Sequence, residues 1–273
     1  CGGKGLNQSV AAARAGATVF HAGLIGRDGE MLLQKLVECG VNCSLLEHSE
    51  GVSGHAIIQV YDDGQNCILL HGGTNRMLTE AYVDSVLNAF GNRGLVLLQN
   101  ETNLVGSIIA RAKAKGRAVA LNAAPMDNAV FTYPLEQLDW LIVNEVEGAA
   151  IARCAREEEI LPALERAYPR LNVLLTLGER GSVCSVQGEQ TRFGAYRVKT
   201  ADTTAAGDTF LGYFLNEVAD GANVSDALAL ATAAAALCVQ VMGAADSIPP
   251  RERVRSALSS GELGELRPWG GWR

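Results

Sequence analysis

The chain has 273 residues, 48% of them apolar and 19% charged, with 30 glycines and a formal net charge of −7. This is the balance of a folded globular protein and excludes a disordered one; a chain of about 300 residues buries roughly 75% of its unfolded surface, so its stability needs no cross-links. An acidic balance without a basic stripe also argues against a nucleic-acid binder, whose affinity comes from Lys and Arg displacing counterions.

In chain order, residues 5–16 (GLNQSVAAARAG) are rich in helix formers and close on a glycine, which predicts a helix with a C-terminal stop. TVFHAGLIG (18–26) reads as a strand, and 30–39 as a helix stopping at Gly40. SGHAIIQVY, DDG and QNCILLHGG then give two β-rich runs around a turn signal, a hairpin over 53–71 that interrupts the helix-strand rhythm. Its apolar Ile57, Val60, Ile68 and Leu70 need cover, because a lone hairpin is marginally stable.

The rhythm resumes with helix 79–90, strand 94–100, helix 103–115, strands 117–122 and 139–144, and helix 145–154. Strands follow at 172–178, 182–187 and 190–199, then helices near 207–219, 224–241 and 251–259. Short apolar strands joined by helices predict right-handed crossovers and a mostly parallel sheet covered on both faces. The expected architecture is one three-layer α/β/α domain over 1–273 with a small β lid. Ligands of such sheets sit beyond the carboxyl ends of the strands, where Asn100, Glu101, Asn122, Asn144 to Glu147 and Gly178 to Gly181 fall.

The alanine-rich run 227–243 is short for a bilayer span and lacks charged flanks, so a buried helix is expected. Cysteines 1, 39, 43, 67, 154, 184 and 238 form an odd set without a CxxC pair, which predicts reduced thiols of a cytoplasmic protein, each packing as a small hydrophobe. His21, His48, His55 and His71 make no metal-ligand spacing on a helix face. GGKG is no P-loop, since Lys4 is followed by Gly5 and not by Ser or Thr.

The stretch that carries chemistry is DTTAAGDTF, 202–210. Ala205, Ala206 and Gly207 have little or no side chain, so the amides opening the next helix can face a ligand, and the helix dipole favours an anion there. Asp208 stands in the first turn, placed to take a proton from a hydroxyl that attacks a phosphoryl group. The plainer alternative is a helix cap, a role that Asp often fills.

With GGKGLNQSVAAARAGA (2–17), LLQNET (97–102), NEVE (144–147), TLGERG (176–181) and GAADSIP (243–249), this stretch resembles the ribokinase-type (PfkB) carbohydrate kinases, in the family's order and over nearly the whole chain. The resemblance implies an ATP-dependent transfer of the γ-phosphate to a primary hydroxyl of a sugar. Ribose is favoured; fructose, a keto-deoxy sugar acid or a nucleoside is the alternative, and a catalytically silent sugar or nucleotide sensor a third reading. It further implies Asp208 as base, the amides of Ala205, Ala206 and Gly207 as anion hole, and Gly3, Lys4, Asn7 and Glu101 as sugar-binding residues. Asn144 and Glu147 would organise Mg²⁺ and phosphate through water. Thr176, Gly178, Glu179 and Gly181 would form the nucleotide loop, and Asp202, Thr204, Gly243 and Ser247 a K⁺ site. A homodimer through the lid is implied as well. Leu6 departs from the alanine of the ribose-specific members, and the family's first strand, with an Asn and an Asp that hold sugar, is expected ahead of Cys1.

Overall fold

The computed structural model describes residues 1–60, 66–90 and 94–272. It begins with α1 (Lys4–Ala15), β1 (Phe20–Ile25), α2 (Glu30–Glu38), β2 (Asn42–His48), β3 (His55–Val60) and β4 (Asn66–His71). Gly16 ends α1 by taking φ 111°, from which its N–H returns to the carbonyls of Ala12 and Ala13. β1 and β2 pair in parallel and β3 and β4 antiparallel, as two separate two-stranded sheets. The strand expected at 18–26 therefore stands outside the central sheet, paired to β2. The hairpin forms where the sequence predicts it, and Ile57, Leu69 and Leu70 are exposed on it; its DDG turn and the side chains of Val60 and Ile68 lie outside the described residues.

The chain continues through α3 (Glu80–Ala89), β5 (Leu95–Gln99), α4 (Val105–Ala114), β6 (Ala118–Asn122), β7 (Trp140–Asn144), α5 (Glu145–Ala152), α6 (Glu157–Ala167), β8 (Asn172–Thr176), β9 (Ser182–Val186) and β10 (Glu189–Phe193). It closes with α7 (Ala206–Ala219), α8 (Val224–Cys238) and α9 (Arg251–Ser260). The central sheet has the order β10-β9-β8-β7-β6-β5, parallel from β5 to β8 and antiparallel at β9 and β10.

Side chains alternate across this sheet with period two, and both faces are apolar. Val119, Leu121, Leu141, Val143, Val173, Leu175 and Val183 point into one core with α3 to α6. Ala120, Trp140, Ile142, Leu174 and Cys184 point into a second core with α7, α8 and α9. This is the three-layer arrangement that the apolar strands predict. The alanine-rich run forms the buried part of α8 up to Cys238, with Val241 and Met242 exposed beyond its end, and no helix among the described residues is long and apolar enough to cross a membrane. The six described cysteines carry no disulfide; Cys184 and Cys238 are buried as expected, whereas Cys1 is exposed.

Helices α1 and α7 pack closely side by side. On α7, Asp208, Gly212 and Asn216 recur every four residues and so share a face. Along that face Asp208 meets Asn7 and Gln8, Gly212 lies against Ala11 and Ala12, and Asn216 Nδ2 donates to Ala15 O at 3.3 Å. A Cβ on Gly212 would fall 2.5 Å from Ala11 Cβ, so the missing side chain is what lets the two helices approach.

Candidate active site

Asp208 stands in the first turn of α7 and is only 9% exposed. It does not cap its own helix. Its Oδ2 accepts from Asn7 Nδ2 at 2.9 Å and its Oδ1 from Gln8 Nε2 at 2.8 Å, both from α1. A carboxylate withdrawn from water needs donors on its oxygens, and two neutral amides supply them without cancelling its charge. Asn7 Oδ1 is buried and unpartnered, a polar atom left free at the base.

Ala205, just before α7, adopts φ 62°, a left-handed conformation that costs a non-glycine residue roughly 1–2 kcal/mol. No side chain caps this helix start. The Ala206 N–H closes the turn onto Thr203 O at 3.2 Å, while no bond among the described residues claims the N–H groups of Ala205 and Gly207. Of the three amides expected to meet an anion, those of Ala205 and Gly207 are therefore unclaimed and that of Ala206 is engaged in the turn. A Cβ on Gly207 would meet nothing within 4 Å, so the space over the turn is open.

Behind this turn, Asp202 accepts from Thr204 N at 2.8 Å and Gly243 N at 3.0 Å, tying the 202–204 segment to the 243–247 loop. The Thr204 hydroxyl, followed by these two N–H groups, lowers the Asp202 pKa from its ordinary value. Ser247 is buried; its hydroxyl donates to Ala244 O at 2.7 Å and lies 3.1 Å from the Cys238 sulfur. The four residues expected at a cation site are therefore neighbours, although the Ser247 hydroxyl is engaged within its own loop. Gly2 adjoins the same loop, since a Cβ there would reach Ala244 Cβ at 3.0 Å.

On the sheet side, Glu101 Oε2 accepts from Lys4 N at 3.2 Å. Burial is the main cause that raises the Glu101 pKa, opposed by the Lys4 charge and reinforced by Asp208. Gly3, with φ 111°, precedes α1 and leaves open space where a side chain would be. Asn144 and Glu147 form a capping box: Asn144 Oδ1 accepts from Glu147 N at 2.8 Å, and Glu147 Oε2 accepts from Asn144 N at 3.0 Å. Burial raises the Glu147 pKa too, again opposed by its bond from Asn144 and by Lys4.

Thr176 ends β8, and Gly178 to Arg180 form a single tight turn into β9, with Glu179 exposed. Gly178 and Gly181 take φ 58° and 100°. At Gly181 a Cβ would sit 2.0 Å from Phe193 O, so only glycine fits. The expected groups thus gather at the carboxyl ends of β5, β7 and β8 and at the start of α7.

A family model for "pfkB family carbohydrate kinase" matches residues 1–251. The chain belongs to this family of carbohydrate kinases. Curated relatives include a ribokinase of Arabidopsis thaliana, 34% identical over 94% of this chain and 72% of that protein, and one of Staphylococcus aureus, 34% identical over 93% and 86%. A structure of Arabidopsis thaliana ribokinase complexed with ribose and ATP superposes with a TM-score of 0.83 at 30% identity, covering 94% of this chain and 87% of the other. A ribokinase of Cryptococcus neoformans in complex with ADP superposes with a TM-score of 0.80 at 31% identity, covering 93% and 88%.

Several residues of this carbohydrate kinase site escape sequence reasoning. Gln8 is almost fully buried, and its Oε1 accepts from Gln99 Nε2 at 2.6 Å. A glutamine beside Asn7 on an apolar helix is the only signal, and its partner lies 91 positions away. Asn100, which the sequence places at a strand's carboxyl end without a partner, is fully buried and bonds Pro125 O, Asp127 and the Tyr133 hydroxyl, fixing the chain just before Glu101. Arg180 pairs through both terminal nitrogens with Glu157 at 2.6 and 2.9 Å and pins the 178–181 turn, the expected nucleotide loop, to α6. Leu6 packs among Val10, Leu36 and Ala205.

Proposed function

We propose that this carbohydrate kinase transfers the γ-phosphoryl group of ATP to a primary hydroxyl of ribose. The observation that carries the reading is the buried Asp208 carboxylate, held by two amides of α1 beside the unclaimed N–H groups of Ala205 and Gly207. The sugar hydroxyl gives its proton to Asp208 as its oxygen bonds to phosphorus, and the bond to the β-phosphate oxygen breaks to release ADP. Proton removal by a placed carboxylate contributes roughly 10²–10⁴ in rate. The free amides and the α7 dipole stabilise the charge spread over the transferred group. Gly3, Lys4, Asn7 and Glu101 hold the sugar; Thr176, Gly178, Glu179 and Gly181 hold the nucleotide.

The donor set fits Mg²⁺ bound mostly through water and phosphate. Glu147 is a buried carboxylate whose Oε1 has no partner among the described residues, and these contain no cluster of three metal-ligating side chains. When bound, the ion supplies neutralising charge at the phosphates. Asp202, with the carbonyls of Thr204 and Gly243, offers hard oxygens suited to K⁺, and Ser247 braces that loop. The exposed Ile57, Leu69 and Leu70 support the β3–β4 hairpin as a lid over the sugar and as a contact for a second copy; light scattering reads the copy number directly.

Ribose is favoured by the ribokinase relatives. The chain is also 29% identical to a deoxyribokinase of Salmonella typhi over 96% of its length, which makes 2-deoxyribose the second acceptor to weigh. Coupled ADP release is measured with ribose, 2-deoxyribose, fructose, a keto-deoxy sugar acid and a nucleoside. Ribose should give the highest kcat/KM. A different winner overturns the substrate, and no ADP with any of them replaces the kinase by a silent sensor.

A further inference from the structure

We propose that Gln99, at the end of β5, is a positioning residue for Asp208 and acts through Gln8; this rests on Asp208 being the base. An ionised carboxylate only accepts hydrogen bonds, so the Gln8 group facing Asp208 Oδ1 must be its NH₂. The Gln8 carbonyl oxygen then faces Gln99, and it must be met there by a donor, which is Gln99 Nε2 at 2.6 Å. The order of donors along Gln99, Gln8 and Asp208 is thereby fixed in one direction.

Without Gln99, no other described residue bonds the outer end of the Gln8 amide and so distinguishes its oxygen from its nitrogen. Turned over, that amide would set its oxygen against Asp208 Oδ1, and the carboxylate would rotate away from the acceptor hydroxyl. A misplacement of this kind is costly, because proton transfer needs the base within hydrogen-bond reach of the proton. Gly5 eases the arrangement: a Cβ there would fall 3.2 Å from Gln99 Oε1, a tight contact that the bare first turn of α1 avoids. Gln8 is 1% exposed, which keeps water from substituting for either partner.

Two substitutions separate orientation from mere packing. Gln99→Met keeps the length and removes the donor. Gln99→Glu keeps the shape and replaces the donor, above the titration of the new carboxyl, by an acceptor that attracts the Gln8 NH₂ away from Asp208. Once protonated, that carboxyl can again donate to Gln8 Oε1. Lys4, His21, Glu101 and Asp208 are the titratable groups around this site, and all are present in both variants. The ratio of the two kcat values therefore removes the part of their titrations that the variants share and leaves the effect of the new carboxyl.

Each variant should lower kcat by about tenfold to a hundredfold, the loss of one hydrogen bond to a charged group, with ATP affinity unchanged. The Gln99→Glu to Gln99→Met ratio should rise as pH falls. Parental kcat in both variants overturns the proposal, and so does a ratio independent of pH, which would leave Gln99 a packing residue. Asp208→Asn is assayed in parallel: retained turnover there would remove the base reading itself, whereas an inactive Asp208→Asn beside active Gln99 variants would remove only the positioning role.

Discussion

Two helices of this protein start with a buried carboxylate in their first turn, and they treat it oppositely. At α5, Glu147 folds back onto the N–H of Asn144 while Asn144 receives the N–H of Glu147, so the helix start satisfies itself within four residues. At α7, no side chain caps the helix, Ala205 sits in a left-handed conformation, and Asp208 turns away to two amides of another helix. A local cap is worth stability wherever it occurs. An uncapped start whose acid is held from outside costs stability and has a use only if something arrives to meet the free amides.

The sharpest way to break this comparison is to neutralise each acid. Asp208→Asn should reduce kcat by roughly 10²–10⁴ while ATP still binds. Glu147→Gln should chiefly raise the Mg²⁺ concentration needed for half the maximal rate. Equal losses of kcat from the two would erase the distinction. Gly212→Ala comes next, because its Cβ would lie 2.5 Å from Ala11 Cβ and 2.7 Å from Ala12 N. Overpacking of this sort costs about 1–3 kcal/mol, and by pushing α1 away it should lower both the unfolding midpoint and turnover; unchanged turnover would mean that Asp208 does not depend on α1.

Asn144→Ala should cost about 1 kcal/mol as a lost cap, read as a lower urea midpoint, and a variant as stable as the parent would deny that α5 is locally held. An effect absent at neutral pH and seen only in acid concerns His21, whose Nδ1 lies 2.8 Å from the Ser9 hydroxyl of α1. Withdrawal from water lowers its pKa from the ordinary 6.5 to about 4. The unfolded chain therefore takes up the proton first, and stability present above pH about 6.5 is lost progressively as pH falls toward 4. His21→Gln should flatten that slope in urea titrations, and an unchanged slope would assign the acid sensitivity elsewhere.

Much of the fold can be read locally, and what cannot has identifiable causes. The central strands are apolar on both faces and separated by helical runs, so the layers follow from periodicity. The placement of β1 does not, because pairing with β2 is a long-range choice, and NCSLLEH lacks the alternation that marks a strand. α6 is hidden by Pro162 and by its opening run of Glu157 to Glu159; yet those acids suit a helix N-terminus, and Ile160, Leu161 and Leu164 supply the buried stripe. Of the expected site, Asp208, Asn7, Glu101 and the glycine turns are visible as motifs. Gln8, Gln99 and Arg180 act only through partners far along the chain, which no local spacing encodes.

The Asp208, Gly212 and Asn216 face also bears on how the enzyme can move. Because α1 and α7 touch along three successive turns in register, Asn7 and Asp208, the proposed sugar contact and the proposed base, are mounted on a single jig. Closure around a ligand must then be produced by parts outside that pair, and amides in the middle of these two helices should be among the slowest in the molecule to exchange with deuterium.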